Sequence, residues 1–394
     1  MRIGIDSHFL EKHYGGLTTY LKGILKEISE IDELNEYFLF FQHFNPVKLV
    51  KQFKLSDKLN QLKTLNKINW FRWFNFILPR QLKDYKIDLF FSPNHFLPIK
   101  RAAKKEVVVV HDLAWKINPE WKNPSFRIYA ELFQKKSIQR ADKIIVDSEK
   151  TKRDVMKYYS VNELTNSNIN ELKKKIEVVY LAADEEFKPR ELSQESKLSL
   201  LRKLSIFDNL SSLKSLKNLP AVILYVGRIE RRKNIQGIIE IANKIRKLDR
   251  FKDLKFILFG PVGPGGNQFL NVIRNTKNIQ YKGVAKDKDL SYIYNLSKIF
   301  LFPSFYEGFG ISPLEAIQSG VPVLVSNTSS LPEVVGQGGL MHDPKNYEGF
   351  AKDITRLLEE NEFYQEMRKR GIEQAKKFSW RKTAEKLVTM FNGI

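Results

Sequence analysis

Short apolar runs alternate with segments of helical period along nearly the whole chain. Runs rich in β-branched and aromatic residues lie at Arg2 to Asp6, Leu39 to Phe41, Leu89 to Ser92, Val107 to Val110, Lys143 to Val146 and Ile176 to Leu181. Between several of them the apolar positions move to a spacing of three and four, as in Leu17, Tyr20, Leu21, Ile24, Leu25 and Ile28, and again over 126–140 and 149–159. Short runs of this kind predict strands and the longer period predicts helices. A second series follows, with strands at Val222 to Val226, Lys255 to Phe259, Ile279 to Lys282, Ser297 to Phe302 and Val321 to Val325, and helices over 235–248, 268–275, 288–296 and 313–318. A charged, proline-ended connector, 184–189, and a polar Leu/Ser/Lys-rich segment, 191–218, part the two series. The chain is therefore expected to be α/β, with two doubly wound sheets facing across a cleft. The boundaries fall at 1–184, 185–375 and a last segment, 376–394.

The stretch Phe302 to Gly320, FPSFYEGFGISPLEAIQSG, carries the densest chemistry. Two carboxylates, Glu307 and Glu315, bracket a glycine-rich turn between a strand and a helix. Ser312 is expected as N-cap with Pro313 at the first helical position, so backbone N–H groups and the positive helix end would face an anion such as phosphate. The same residues, Ser312-Pro-Leu-Glu315, also spell a capping box in which Glu315 would bond back to the cap amide. Glu307 has no such structural use. Two further positions lie where open α/β sheets place ligands: Gly15-Gly16 after the first strand, and His111-Asp112 at the end of Val107 to Val110.

Residues 51–86 read as a basic helical stretch with an aromatic centre, Ile68 to Pro79, flanked by Lys63, Lys67, Arg72 and Arg80. It fits either contact with an anionic membrane surface or a helix packed on its own domain through Trp70, Phe74 and Ile77.

Composition narrows the class. The 394 residues are 42% hydrophobic with a formal net charge of +21 and no cysteine. Disulfides and thiolate metal sites are excluded. No run of 18 apolar residues occurs, and the N-terminus enters a strand at once, which predicts a cytoplasmic protein with peripheral contact at the inner face of the cell membrane at most. The excess of Lys and Arg, concentrated in 51–150 and 201–300, implies an acidic partner: an anionic membrane, a phosphorylated substrate or nucleic acid. No nucleic-acid-binding module is spelled anywhere, and nucleic acid is not expected as a partner.

YEGFGISPLEAIQSGVPV, preceded by VGRIERRKN and followed by SSLPEVVGQGGLMHDP, closely resembles the nucleotide-sugar glycosyltransferases of GT-B fold, in the large retaining family typified by bacterial mannosyltransferases and glucosyltransferases. The resemblance extends to the Gly-Gly loop, HDL, DSEKTKRD, YLAADEEFKP and FSW, and so spans most of the chain. It implies an acceptor-binding Rossmann-like domain over 1–184, a nucleotide-sugar-binding one over 185–375, and a C-terminal helix over 376–394 that returns to the first. It further implies that Arg228 and Lys233 grip the donor diphosphate and that the amides of Gly308, Phe309 and Gly310, with Ile311 beside them, bind donor sugar and phosphate. Glu307 would take sugar hydroxyls, Glu315 the ribose, His111 the sugar's 6-hydroxyl, and the Gly15-Gly16 loop would close over the phosphates. The base would sit near Tyr281 to Val284. Family members generally work without a bound metal, and none is expected here, nor any permanent cofactor. Retention is described as same-face substitution in which the leaving phosphate helps deprotonate the acceptor; Glu307 as nucleophile is the minor alternative. HDL and GRIERRKN lean toward GDP-mannose, with UDP-glucose or a UDP-hexosamine behind it, and a saccharide or lipid-linked glycan as acceptor in cell-surface polysaccharide synthesis. A sugar-nucleotide epimerase or phosphorylase of the same fold is the rival enzyme reading. Nothing in the residues sets the oligomeric state.

Overall fold

A computed structural model describes residues 1–11, 15–43, 59–63, 69–160, 166–206 and 221–394. Lys67 and Ile68 of the basic stretch and 207–218 of the polar segment lie outside these. Chain contacts divide the molecule into two compact units, Met1–Ala182 with Phe378–Ile394, and Ala183–Lys377.

The first unit is built on seven parallel strands: β1 (Arg2–Asp6), β2 (Glu36–Phe41), β3 (Asn60–Lys63), β4 (Leu89–Ser92), β5 (Lys105–Val110), β6 (Lys143–Val146) and β7 (Ile176–Val178), in the order β3-β2-β1-β4-β5-β6-β7. Val107 to Val110 are buried on both faces, as the unbroken valine run requires of a central parallel strand. Helices α1 (Gly16–Ile31), α2 (Leu78–Asp84) and α3 (Pro124–Arg140) cover the sheet. The second unit holds β8 (Val222–Val226), β9 (Lys255–Phe259), β10 (Ile279–Tyr281), β11 (Ile299–Phe302), β12 (Val323–Ser326) and β13 (Gly339–His342), ordered β10-β9-β8-β11-β12-β13 and also parallel throughout. Its helices include α4 (Ile235–Arg246), α5 (Asp287–Leu296) and α6 (Ile311–Gln318). Strand order reverses between β1 and β4 in one sheet and between β8 and β11 in the other, the places where such sheets hold ligands beyond their strands' C-terminal ends.

The chain ends in α7 (Trp380–Asn392), which belongs to the first unit. Trp380 lies on α1 at Gly23, where an added Cβ would come within 2.3 Å of the indole. Phe391 meets Phe91 of β4 at 5.5 Å between ring centroids, and Thr383 Oγ1 donates to the Tyr180 carbonyl at 2.6 Å.

Two expectations change. The 51–86 stretch is not helical throughout: β3 pairs with β2, Phe38 opposite Asn60. Its aromatic centre is one helical turn, Trp70–Arg72, a π-helical segment, Trp73–Ile77, and then α2. Trp73 and Phe74 are fully buried in the first unit's core, while Trp70 and Ile77 pack partly against it. The helix after Glu307 begins at Ile311, with Gly310 and not Ser312 as N-cap. Gly310 takes φ 116°, open to glycine, and so starts the helix two residues early and leaves Ser312 inside it.

Candidate active site

The second unit's site grows from the loop after β8. Gly227 and Arg228 leave the strand, and a single 3-10 turn, Arg231–Lys233, turns Arg232 and Lys233 inward while Arg231 stays exposed. Asn234 follows in the left-handed conformation (φ 56°, ψ 46°), caps α4 by accepting from the Gly237 amide at 3.0 Å, and donates to the Pro303 and Pro344 carbonyls at 3.0 and 2.7 Å. One side chain thus pins the cationic turn against the end of β11. Gly260 lies alongside with φ 139°, and an added Cβ there would stand 1.9 Å from the Gly227 carbonyl.

Beyond β11 the chain carries Glu307, only 6% exposed, into these cations. Lys233 Nζ reaches both its oxygens at 2.7 and 2.8 Å, Arg232 Nη1 reaches Oε2 at 3.2 Å, and Ser304 Oγ donates to Oε1. Arg232 also donates to the Tyr306 carbonyl at 2.8 Å and to Glu230 at 3.0 Å. Burial alone would raise the Glu307 carboxyl, but the Lys233 and Arg232 charges and the Lys233 and Ser304 hydrogen bonds outweigh it and hold it below the usual range. Burial lowers the Lys233 ammonium, against the pull of Glu307. Arg228 stands exposed at the lip of the same loop.

Gly308, Phe309 and Gly310 connect Glu307 to α6. Ser330 Oγ holds this turn by donating to the Glu307 and Phe309 carbonyls, 3.1 and 2.6 Å away. No side chain caps the helix start at Ile311, so its first amides remain available to an anion. Glu315, 7% exposed, forms no capping box: Tyr294 of α5 donates to its Oε2 at 2.7 Å. Its carboxyl is pushed up to about 7, by burial first and, against the Tyr294 hydrogen bond, by the negative charges of Glu186, Asp184 and Asp287. Val284 is exposed just past β10, beside Gly283 at φ 71°.

The first unit carries Gly15, Gly16 and His111. Gly15 (φ 63°) is the exposed N-cap of α1, with no side-chain cap. His111, at the end of β5, bonds Asp147 through Nδ1 at 2.7 Å and the Pro93 carbonyl through Nε2 at 2.8 Å. A carbonyl only accepts, so Nε2 carries a hydrogen, and a second proton lies between Nδ1 and Asp147. Burial opposes the His111 charge, but Asp147, the Pro93 carbonyl and Asp112 raise its pKa above the usual value. Tyr20 meets the ring edge-on at 5.2 Å, and His95 stands 5.6 Å away, its own pKa pushed down to about 3 by burial.

The second unit thus brings Lys233 and Glu307 into direct contact, places Arg228 on the same loop as Lys233, and puts Gly308 to Ile311 and Glu315 on the next element. Sequence reasoning passed over Arg232, Ser304, Tyr294 and Asp147. Arg232 was visible only as one of four cations in GRIERRK; the other three meet their partners through the fold. Among the described residues no group of three or more His, Asp or Glu side chains is placed to hold a metal ion.

Two family models match the chain: Glycosyltransferase Family 4 over residues 40–187 and Glycosyl transferases group 1 over residues 210–378. The chain is 30% identical over 314 residues to the O-antigen chain mannosyltransferase B of Escherichia coli, covering 79% of this chain and 75% of that protein. Among solved structures it is similar to WaaG, a glycosyltransferase involved in lipopolysaccharide biosynthesis (TM-score 0.72, 14% identity, 100% of both chains). It is also similar in fold to Anabaena Alr3699/HepE in complex with UDP-glucose (TM-score 0.70, 14% identity, 100% of both chains).

Proposed function

The chain belongs to the GT-B glycosyltransferases of family-4 type, and we propose that it moves mannose from GDP-mannose, with retention, to a saccharide or lipid-linked glycan in cell-surface polysaccharide synthesis. The mannosyl assignment rests on the relative at 30% identity. The chemistry rests on one observation, the buried carboxylate of Glu307 gripped by Lys233 and Arg232 beside an uncapped helix start.

In this reading Lys233, with Arg228 at the lip, meets the donor's diphosphate and stabilises the charge that builds as the nucleoside diphosphate leaves. The amides of Gly308 to Ile311 take sugar and phosphate oxygens. Glu307 accepts from sugar hydroxyls, Glu315 from the ribose, and the exposed surface at Val284 flanks the base. Glu307 is a poor nucleophile here, because two cations and a hydroxyl already draw on both its oxygens. The acceptor's proton then goes to the departing phosphate on the same face of the sugar. The Gly15-Gly16 helix start suits phosphate, and His111 at the end of β5 would meet the sugar's 6-hydroxyl if its Nε2–H leaves the Pro93 carbonyl. The cations already present make a divalent metal unnecessary, and EDTA is expected to leave the rate unchanged.

Donor choice is tested by thermal shift and donor hydrolysis across GDP-mannose, UDP-glucose and UDP-hexosamines. GDP-mannose is expected to give the largest shift and the fastest turnover. Turnover of a UDP-sugar alone would replace the donor, and a response to none would overturn the reading.

A further inference from the structure

Beyond the C-terminal end of β4 the chain makes a turn, Pro93 to Phe96, that is fixed from several sides. His111 meets the Pro93 carbonyl at 2.8 Å, Ser92 Oγ donates to the Phe96 carbonyl at 2.7 Å, and the next amide, of Leu97, donates to Ser137 Oγ of α3 at 2.9 Å. The buried Phe96 ring meets Tyr129 of α3 edge-on, 4.7 Å between centroids. The backbone of the turn is thus committed. The two side chains at its tip are not: Asn94 and His95 are half-buried and form no hydrogen bond with any described residue. They stand past the strand ends at the switch point between β1 and β4, where a sheet of this order holds ligands.

Asn94 offers two N–H donors and a carbonyl acceptor, and neutral His95 offers one donor and one acceptor. Burial keeps His95 uncharged. Its Nδ1 is shut in without a partner among the described residues, which proteins seldom leave so unless the place has a use. The charges nearby cancel. Asp147 takes the charge of His111 at 2.7 Å, and the opposite charges of Asp112 and Lys122 both act on His95. Neither a phosphate nor a cation therefore gains net attraction at this turn. A hydroxyl donates and accepts at once, and so fits an amide and an imidazole whichever way their protons are placed. The half-buried Phe126, 6.2 Å from Phe96 between ring centroids, adds an apolar wall for the C–H face of a sugar ring.

We propose that Asn94 and His95 select the acceptor, by holding hydroxyls of an uncharged saccharide whose ring lies against Phe126. The inference rests on the transferase reading and narrows its acceptor to one with a neutral sugar at the receiving end. The donor's phosphates belong with cations that this turn lacks.

The test is saturation-transfer NMR of the full chain on the methyl glycosides of mannose, glucose, galactose and N-acetylglucosamine, and on mannose 6-phosphate, with GDP or UDP present. At least one neutral glycoside is expected to bind with a Kd of roughly millimolar, and mannose 6-phosphate no more tightly. Asn94→Ala and His95→Ala should each weaken that glycoside by about tenfold, as loss of one hydrogen bond would. His95→Gln, which keeps a donor and an acceptor, should regain much of the loss. The nucleotide's Kd, read by calorimetry, should not move in these variants, and their melting temperatures report the fold; Asn94→Ala carries the test if His95→Ala does not fold. A wild type that takes up no neutral glycoside or prefers mannose 6-phosphate, or variants that bind the glycoside as wild type does, would overturn the proposal. Weakened nucleotide binding in a folded variant would assign the pair to the donor and overturn it as well. A chain that binds a glycoside through these residues but neither nucleotide would refute the donor assignment and uphold the role of the pair.

Discussion

The two units each bury an ion pair just past the C-terminal ends of parallel strands, and the two pairs are built differently. In the second unit Glu307 has Lys233, Arg232 and Ser304 on its oxygens, and Glu230 and a carbonyl take the rest of Arg232. In the first, His111 and Asp147 hold each other, but Asp147 Oδ1, the Tyr20 hydroxyl and His95 Nδ1 are buried with no partner among the described residues. The Glu307 cluster of the second unit has partners on both carboxylate oxygens, and its geometry is held before any ligand arrives. The His111 pair of the first unit has hydrogen-bonding capacity left over and a proton shared with Asp147, so its state is set by pH and by whatever polar group reaches it. A saturated cluster should respond to mutation chiefly as a unit; an unsaturated pair should respond chiefly in its titration.

The largest effect is expected from Glu307→Ala. It strands two buried cations with only Glu230 between them, which should cost about 3–5 kcal/mol by chemical denaturation. Because the proposed mechanism has the cluster present the cations to the leaving group, transfer should slow by on the order of 10³-fold. Glu307→Gln, which keeps the shape, should recover most of the stability and little of the rate. Equal recovery of both would show that the cluster is structural only. Lys233→Ala comes next, slowing turnover by on the order of 10²-fold with a smaller loss of stability, since Arg232 and Ser304 still satisfy Glu307.

In the first unit, Asp147→Asn should act on protons more than on the fold. Asparagine can still accept from Nδ1–H but carries no charge, so the His111 pKa should fall, read by NMR of the imidazole. A folded-state pKa raised above the unfolded one gives stability that is fully present below the unfolded value and is lost as pH rises through the folded one. That loss, and any alkaline limb in the rate, should therefore move to lower pH in the variant. An unmoved His111 titration would break the contrast between the units.

The smallest effect concerns Glu315. Its raised pKa, about 7, means that the folded chain holds a proton the unfolded chain has released. Stability should accordingly fall as pH rises from the usual glutamate value near 4.5 through 7, by at most about 3 kcal/mol. Glu315→Gln should flatten that slope, so its melting temperature relative to wild type should rise between pH 5 and pH 8. A slope that survives the substitution would show that Glu315 is not its source.

Much of this framework was legible in the residues. The central strands announced themselves because a strand buried on both faces must be apolar throughout, as Val107 to Val110 are. Glu307 stood out because no local turn or cap needed it. What stayed hidden was decided at long range or by one backbone angle. β3 begins with Asn60 and Gln61 at the sheet edge, where no apolar signal is required. The capping box at Ser312 was locally sound, but Gly310 moved the helix start, and a tyrosine 21 residues away claimed Glu315. Arg232 and Arg231 are equivalent by composition; only the 3-10 turn sends one inward and the other to solvent. Asp147 meets His111 from 36 residues away, across adjacent strands that only the sheet order brings together.

The most direct test of the central claim, that Glu307 anchors the donor and does not attack it, is the intact mass of the chain after incubation with a slow-reacting 2-fluoro analogue of the preferred nucleotide sugar. The account predicts an unmodified mass together with a product whose anomeric configuration by NMR matches the donor's. A glycosyl adduct mapped to Glu307 would contradict it.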